Sequence, residues 1–193
     1  MNIPYVVEPN DKGDERTYDL YSRLLKDRII FIKGHIVSEM ADAVVAQLLF
    51  LETSDSETDI NIYINSEGGE VNAMYAMYDV MQYIKPDIAT IGMGQCASAA
   101  SFLLAAGAKG KRMALPNTDI MIHELSGSLQ GKFRDMHLRQ AQIEKLWSKM
   151  ANHYVGFTGQ ELEKIQEDME RDFHMSAEEA VEYGLIDKVI ETR

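Results

Sequence analysis

The chain has 193 residues, 46% of them hydrophobic, which is enough apolar material for one substantial core and most simply one domain. Its 31 acidic residues against 19 basic ones leave a formal net charge of -12, with no basic patch, which argues against a nucleic-acid partner. The single cysteine, Cys96, excludes an intrachain disulfide and a cysteine metal site. Met1-Asn2-Ile3-Pro4-Tyr5 lacks the pattern of a secretory signal, and no apolar run approaches the ~20 residues of a membrane span, so a cytoplasmic protein without membrane contact is expected.

In chain order, Arg28 to Lys33 reads as a strand and Ser38 to Thr53 as a helix. The pattern repeats at Asp59 to Asn65 and Val71 to Ile84, with Pro86 stopping the second helix. A third unit follows: the apolar strand Ile88 to Met93 and the buried helix Ala99 to Ala106. Three such units imply parallel strands joined by right-handed crossovers, an α/β layer whose sites lie at the carboxyl ends of the strands. Gly68-Gly69 and Ser98 both fall at such ends. Short strands are expected at Arg112 to Leu115 and Asp119 to Ile122, with Pro116-Asn117 as the turn. Phe133 to Val155 carries apolar residues near helical spacing, a pattern that fits either a projecting interaction arm or a helix packed on the core. Ser176-Ala177-Glu178-Glu179 is a capping box opening a last short helix that Gly184 closes.

Gly94-Gln95-Cys96-Ala97-Ser98-Ala99-Ala100 sets a serine hydroxyl among side chains too small to cover it. A serine at a helix N-terminus meets free N–H groups and a dipole that favour developing negative charge, which suits an acyl-transfer nucleophile. The same position is the ordinary place of a helix N-cap, the commoner fate of such a serine. Cys96 reads as small-residue packing rather than a reactive thiol. His123 follows the apolar strand Ile120-Met121-Ile122, at a strand end from which a base reaches Ser98, whereas His35, His137, His153 and His174 fall in turns or on helix faces. An imidazole base needs a carboxylate to hold its tautomer. Asp172 is the choice among 31 acids, because Glu170-Arg171-Asp172 is expected to end one helix just before the capping box. Glu124 points to the opposite side if the strand continues.

Ile64-Asn65-Ser66-Glu67-Gly68-Gly69, Gly94-Gln95-Cys96-Ala97-Ser98, Gly107-Ala108-Lys109-Gly110-Lys111-Arg112, Leu115-Pro116-Asn117, Met121-Ile122-His123 and Glu170-Arg171-Asp172 together resemble the proteolytic-subunit family of Clp protease. So do Tyr21 to Ile30 and Gln47 to Leu51, and the likeness runs from about Ile3 to Ile190. The resemblance implies a serine endopeptidase with Ser98, His123 and Asp172 as its triad, in a chain order unlike chymotrypsin, subtilisin or the α/β-hydrolases. It makes the backbone N–H groups of Gly69 and Ala99 the oxyanion donors; a glycine also lets the backbone approach the reacting carbonyl closely. It further implies a crotonase-like α/β spiral of ββα units, one peptidase domain over 1–193, with an N-terminal axial-loop segment (about 1–19) and a protruding handle helix (about 133–156). By the same resemblance, two heptameric rings stack into a tetradecamer, of one chain or mixed with a paralogue, around a closed chamber. Unfolded protein would be fed in by an AAA+ unfoldase of the ClpX or ClpA/ClpC type. No GxxxxGK[ST] motif occurs, so no cofactor is expected here and ATP belongs to the partner.

The family binds peptide as an added strand, which would lie between Gly68, Glu70 and Val71 on one side and Glu124, Leu125 and Ser126 on the other. Its ATPase-docking pocket maps to Tyr63, Ile91, Met93, Met113 and Leu115, and Arg171 is expected to pair with an acid across the ring junction. The chain departs from the family where Ser66-Glu67-Gly68-Gly69-Glu70 replaces Ser-Pro-Gly-Gly-Ser, Leu125 replaces a proline, and Asn61 and Met113 replace aromatics. These changes suggest a divergent paralogue whose Glu67 and Glu70 oppose the oxyanion and attract basic peptide side chains. Two other functions are compatible with the sequence. One is a weakly active or structural partner subunit of a mixed ring, which the altered flanks favour and the intact triad residues oppose. The other is a crotonase-fold acyl-CoA enzyme, which the serine–histidine pair and the absence of a basic patch oppose.

Overall fold

The structure is a computed structural model that describes residues 3–9, 13–126 and 132–192. It opens with an antiparallel hairpin, β1 (Tyr5–Pro9) and β2 (Glu15–Asp19), in which Tyr5 lies opposite Asp19. The segment expected as an axial loop is therefore paired along most of its length, as its Val and Tyr content favours; Met1, Asn2 and Asn10 to Lys12 lie outside the described residues. Asp19 then caps α1 (Leu20–Lys26) by accepting from the Ser22 N–H at 3.0 Å.

The expected strand-helix alternation follows: β3 (Ile29–Lys33), α2 (Ser38–Ser54), β4 (Ile60–Ser66), α3 (Val71–Tyr83), β5 (Ile88–Ala97) and α4 (Ala99–Ala105). The three strands are parallel, with Phe31, Tyr63 and Ile91 in one cross-strand row. Alternate residues Ile30, Ile32, Ile60, Ile62 and Ile64 are fully buried beneath α2, α3 and α4, as the period-2 pleat requires. Burial of such an aliphatic side chain contributes about 1.5–3 kcal/mol, so this layer fixes the strand register.

β5 continues four residues past its expected end at Met93, because it changes neighbours along its length. Thr90 to Gly92 pair with β6 (Arg112–Ala114), and Gln95 to Ala97 pair with β7 (Asp119–Ile122). The Pro116-Asn117 turn makes the exchange, tied down by Thr118, whose N–H donates to Leu115 O at 3.1 Å and whose hydroxyl donates to Gly92 O at 3.1 Å. The seven-stranded sheet is completed by two strands not foreseen in the sequence, β8 (Phe173–Met175), antiparallel to β7, and β9 (Lys188–Val189), parallel to β6.

α5 (Phe133–Thr158) extends three residues beyond the expected Val155 and stops at Gly159 in the left-handed region, φ 76°. The core-packing reading holds for the C-terminal half of this helix, and the other half is mostly exposed. Met150, Ala151 and Tyr154 are buried in the core, whereas Leu138 is 67% exposed and Ile143 38% exposed toward the other end. α6 (Leu162–Asp168) ends four residues before Asp172, so Glu170 to Asp172 form the loop into β8 rather than a helix end. The capping box of α7 (Ala177–Tyr183) is present in full, with Ser176 accepting from the Glu179 N–H and Gly184 closing the helix at φ 91°. Among the described residues no helix is long and apolar enough to cross a membrane.

Candidate active site

Strand register brings three distant residues together. Ala97 pairs with Met121, and the Ser98 N–H donates to Met121 O at 2.9 Å, so β5 and β7 end side by side. Ile122 pairs with Phe173 in the antiparallel β7–β8 ladder, so the next residue along β7, His123, faces the residue before β8, Asp172. Ser98 Oγ lies 2.8 Å from His123 Nε2, and His123 Nδ1 lies 3.2 Å from Asp172 Oδ1. The histidine is 22% exposed and the aspartate 65% exposed. In this arrangement Nδ1 faces a carboxylate, which favours the tautomer that leaves Nε2 free to accept the serine proton.

Ser98 occupies the N-cap position of α4 but its side chain makes no capping hydrogen bond. The ordinary N-cap reading therefore fails on the side chain, which is turned to His123 instead. The cause is the backbone: Ser98 has φ 57° and ψ -122°, one of two non-glycine residues with positive φ among the described residues. Such a conformation costs on the order of 1–3 kcal/mol and persists only when its surroundings impose it. Here the Ser98 N–H is held by Met121 O, and Ser98 O accepts from the Phe102 N–H at 3.1 Å and from Ser101 Oγ at 2.7 Å.

Across from the serine, the turn after β4 is folded against Ser98 and Ile36. A Cβ on Gly68, at φ 99°, would stand 2.7 Å from Ser98 Cβ and 2.8 Å from Ala97 O. A Cβ on Gly69, at φ 157°, would overlap the Ile36 carbonyl oxygen. Ile36 N–H donates to Gly68 O at 2.8 Å and Glu70 N–H donates to Ile36 O at 2.9 Å, which locks the turn. Among the described residues neither the Gly69 nor the Ala99 N–H donates a hydrogen bond. Both residues line the small cavity of about 50 Å³ that Ser98 and His123 also line, its apolar walls formed by Val71, Met74, Met150 and Tyr154. Glu124, Leu125 and Ser126 line the opposite rim, and the Glu124 N–H anchors it to Met169 O at 2.7 Å.

The other expected residues are placed as follows. Glu67 sits 3.5 Å from His35 Nδ1, and Glu70 accepts from Ser38 Oγ at 2.9 Å, so each carboxylate is engaged by a neighbouring side chain. Cys96 is fully buried, donates to Ile64 O at 3.3 Å, and burial pushes its thiol up to about 12. Arg171 is exposed and makes no ion pair among the described residues. Tyr63, Ile91 and Met113 share one row across three strands, flanked by the half-buried Met93 and by Leu115 at 38% exposure. Phe31, which the sequence reading passed over, stacks on Tyr63 at 5.6 Å and extends the row to β3. A cavity of about 350 Å³ opens next to it over Ile29, Phe31 and Lys33, and none of the five expected docking residues lines it. Among the described residues no group of three or more His, Cys, Asp or Glu is arranged to hold a metal ion.

A strained serine with a histidine at hydrogen-bond distance, two unengaged amides beside it and a mostly parallel α/β sheet beneath describe a hydrolase of the acyl-transfer kind more closely than a binding module. The model of the Clp protease family matches residues 12–193, a span that takes in every element of this site, and the chain belongs to that family.

Proposed function

We propose that the chain is the proteolytic subunit of an ATP-dependent Clp protease, a serine endopeptidase that cuts unfolded protein into small peptides. The observation that carries this reading is the 2.8 Å approach of Ser98 Oγ to His123 Nε2 from a strained backbone position that serves no cap. A peptide lies as an extended strand between Gly68 to Val71 and Glu124 to Ser126, pairing its backbone with both rims. Ser98 Oγ attacks the scissile carbonyl carbon while His123 Nε2 takes the hydroxyl proton. Asp172 holds the imidazole orientation and stabilises the imidazolium. The carbonyl oxygen becomes an oxyanion that accepts from the N–H groups of Gly69 and Ala99, the latter at the positive end of α4. His123 then gives the proton to the leaving amine, and water repeats the sequence to release the acyl group from Ser98.

The aspartate of the site is 65% exposed in the single chain, which fits a subunit whose active sites are enclosed by assembly. Two stacked heptameric rings, joined through the projecting half of α5, would form that enclosure, with an AAA+ unfoldase of the ClpX or ClpA/ClpC type docked on the row from Phe31 to Met113 and supplying the ATP chemistry. Turnover of a short fluorogenic peptide tests the chemistry. Ser98→Ala and His123→Ala should each lose about 10⁴-fold or more in kcat, and Asp172→Asn about 10⁴-fold, with sedimentation unchanged. Wild-type turnover by Ser98→Ala would overturn the mechanism.

A further inference from the structure

Ser101 and Tyr154 take no part in these steps, yet both are buried beside them, at 0% and 1% exposure. Ser101 Oγ donates to the Ser98 carbonyl at 2.7 Å and lies 3.1 Å from Tyr154 Oη. A serine hydroxyl has one proton, and that proton is committed to Ser98, so the Tyr154 O–H is the donor to Ser101 Oγ. Burial raises the Tyr154 phenol above its ordinary range, so it keeps that proton at physiological pH. A directed chain therefore runs from Tyr154 through Ser101 to the carbonyl of the nucleophile. That carbonyl already accepts from the Phe102 N–H, the first bond of α4, so the Ser101 hydroxyl is a second tether on the same oxygen.

The consequence lies one atom further on. The Ser98–Ala99 peptide is trans and planar, so its C=O and N–H point in opposite directions, and whatever fixes the Ser98 carbonyl also aims the Ala99 N–H. Ser98 sits at φ 57° and ψ -122°, where relaxation of ψ toward a populated region would swing that amide away. We propose that Ser101, backed by Tyr154, is a positioning pair that holds the Ser98–Ala99 peptide at the angle aiming the Ala99 N–H at the oxyanion. The inference rests on the reading of Ser98 as the acyl-transfer nucleophile. Because Tyr154 belongs to the packed end of α5, displacement of that helix reaches the oxyanion donor through two hydrogen bonds.

The test compares the full-length wild type with Ser101→Ala, Tyr154→Phe and the double variant. It measures kcat and KM separately on a fluorogenic peptide, and Ki for a peptide boronate, whose tetrahedral serine adduct mimics the oxyanion. An oxyanion donor acts in the transition state and not on bound substrate, so Ser101→Ala should lower kcat about tenfold, leave KM within about twofold, and weaken the boronate by the same factor as kcat. Tyr154→Phe keeps the ring that walls the cavity and removes only the hydroxyl, so a smaller loss of about threefold in kcat is expected. The double variant should be no worse than Ser101→Ala, since Tyr154 acts only through Ser101. Wild-type kcat and boronate affinity in Ser101→Ala, whatever its melting temperature, would overturn the proposal, as would additive losses in the double variant. If Ser101→Ala fails to fold, Tyr154→Phe decides by itself: an unchanged kcat overturns the pair, a loss confined to kcat supports it. A wild type that neither hydrolyses peptide nor binds the boronate overturns the peptidase reading and the inference with it, whereas an active wild type with unaffected variants overturns the inference alone.

Discussion

At Ser98 the backbone is strained in the way the proposed chemistry requires. Its left-handed φ turns Oγ away from the helix and toward His123, and three hydrogen bonds to its N–H and carbonyl hold it there. The glycine turn opposite is equally constrained, and Gly69→Ala checks it. The added Cβ overlaps the Ile36 carbonyl, so the turn must move and take the Gly69 N–H with it. Loss of one oxyanion donor costs about 10²–10³-fold in kcat, and that fall, with an unaltered far-UV spectrum, is the expected result. Cys96, only two residues from Ser98, is a contrasting case. Its thiol is buried and pushed up to about 12, so the native protein should withstand iodoacetamide at pH 8 with full turnover; native-state alkylation that stops turnover would point to a thiol chemistry instead. The approach of Ser98 and His123 was legible because both follow apolar strands and sit at strand ends. Ser101 was not, because its role depends on a serine three residues upstream having an unusual ψ, which no sequence pattern announces. The placement of Glu67 on His35 and of Glu70 on Ser38 was equally hidden, since a double glycine erases the side-chain alternation that would have predicted it.

Among the secondary-structure elements, the site is a product of register: β5 sets Ser98, β7 sets His123, and β8 sets Asp172. The first two strands are long or apolar enough to read from the sequence. β8 is only three residues and contains an exposed histidine, so hydrophobic periodicity does not reveal it; it exists because β7 offers it a ladder. The C-terminal elements are held in place by a different device. Arg112 is 4% exposed, pairs bidentately with Asp187 at 2.7 and 3.1 Å, and donates to Phe157 O at 2.9 Å, which joins β6 to the end of α5 and to the approach of β9. Burial raises the Asp187 carboxyl, but hydrogen bonds from the Arg112 side chain and backbone N–H outweigh it and hold the group below the ordinary carboxylate range. A carboxyl depressed in the folded state stabilises the fold at pH above its unfolded value, and the contribution is lost as pH falls through the folded value. Asp187→Ala should therefore destabilise the protein by about 3 kcal/mol at neutral pH, because it strands a buried guanidinium. The gap between variant and wild type should narrow below the ordinary carboxylate range; an equal gap at all pH would show that lost packing, not the ion pair, is responsible.

For the molecule as a whole, the features that the single chain leaves unexplained cluster on surfaces rather than in the core. Asp172 is 65% exposed, Arg171 beside it is exposed, Leu138 projects from the free half of α5, and Phe50 and Tyr83 are 60% and 81% exposed. A water-facing aspartate holds an imidazole weakly, since solvent screens the pair. Activity is therefore expected to depend on assembly: Arg171→Ala should sediment as smaller species with low turnover, and full activity from a stable monomer would contradict this. The α/β class and the long helix could be read from strand-helix alternation, whereas the proposed assembly rests on the family resemblance, because exposed apolar residues such as Phe50, Tyr83 and Leu138 follow no pattern that separates them from ordinary surface. The central claim remains that Ser98 is an activated nucleophile, and covalent labelling tests it most directly. Wild-type protein treated with a fluorophosphonate should carry a single adduct mapped to the peptide containing Ser98, lost on boiling before labelling and absent from Ser98→Ala and His123→Ala. No adduct on correctly assembled wild type, or an adduct that persists in Ser98→Ala, would contradict the assignment.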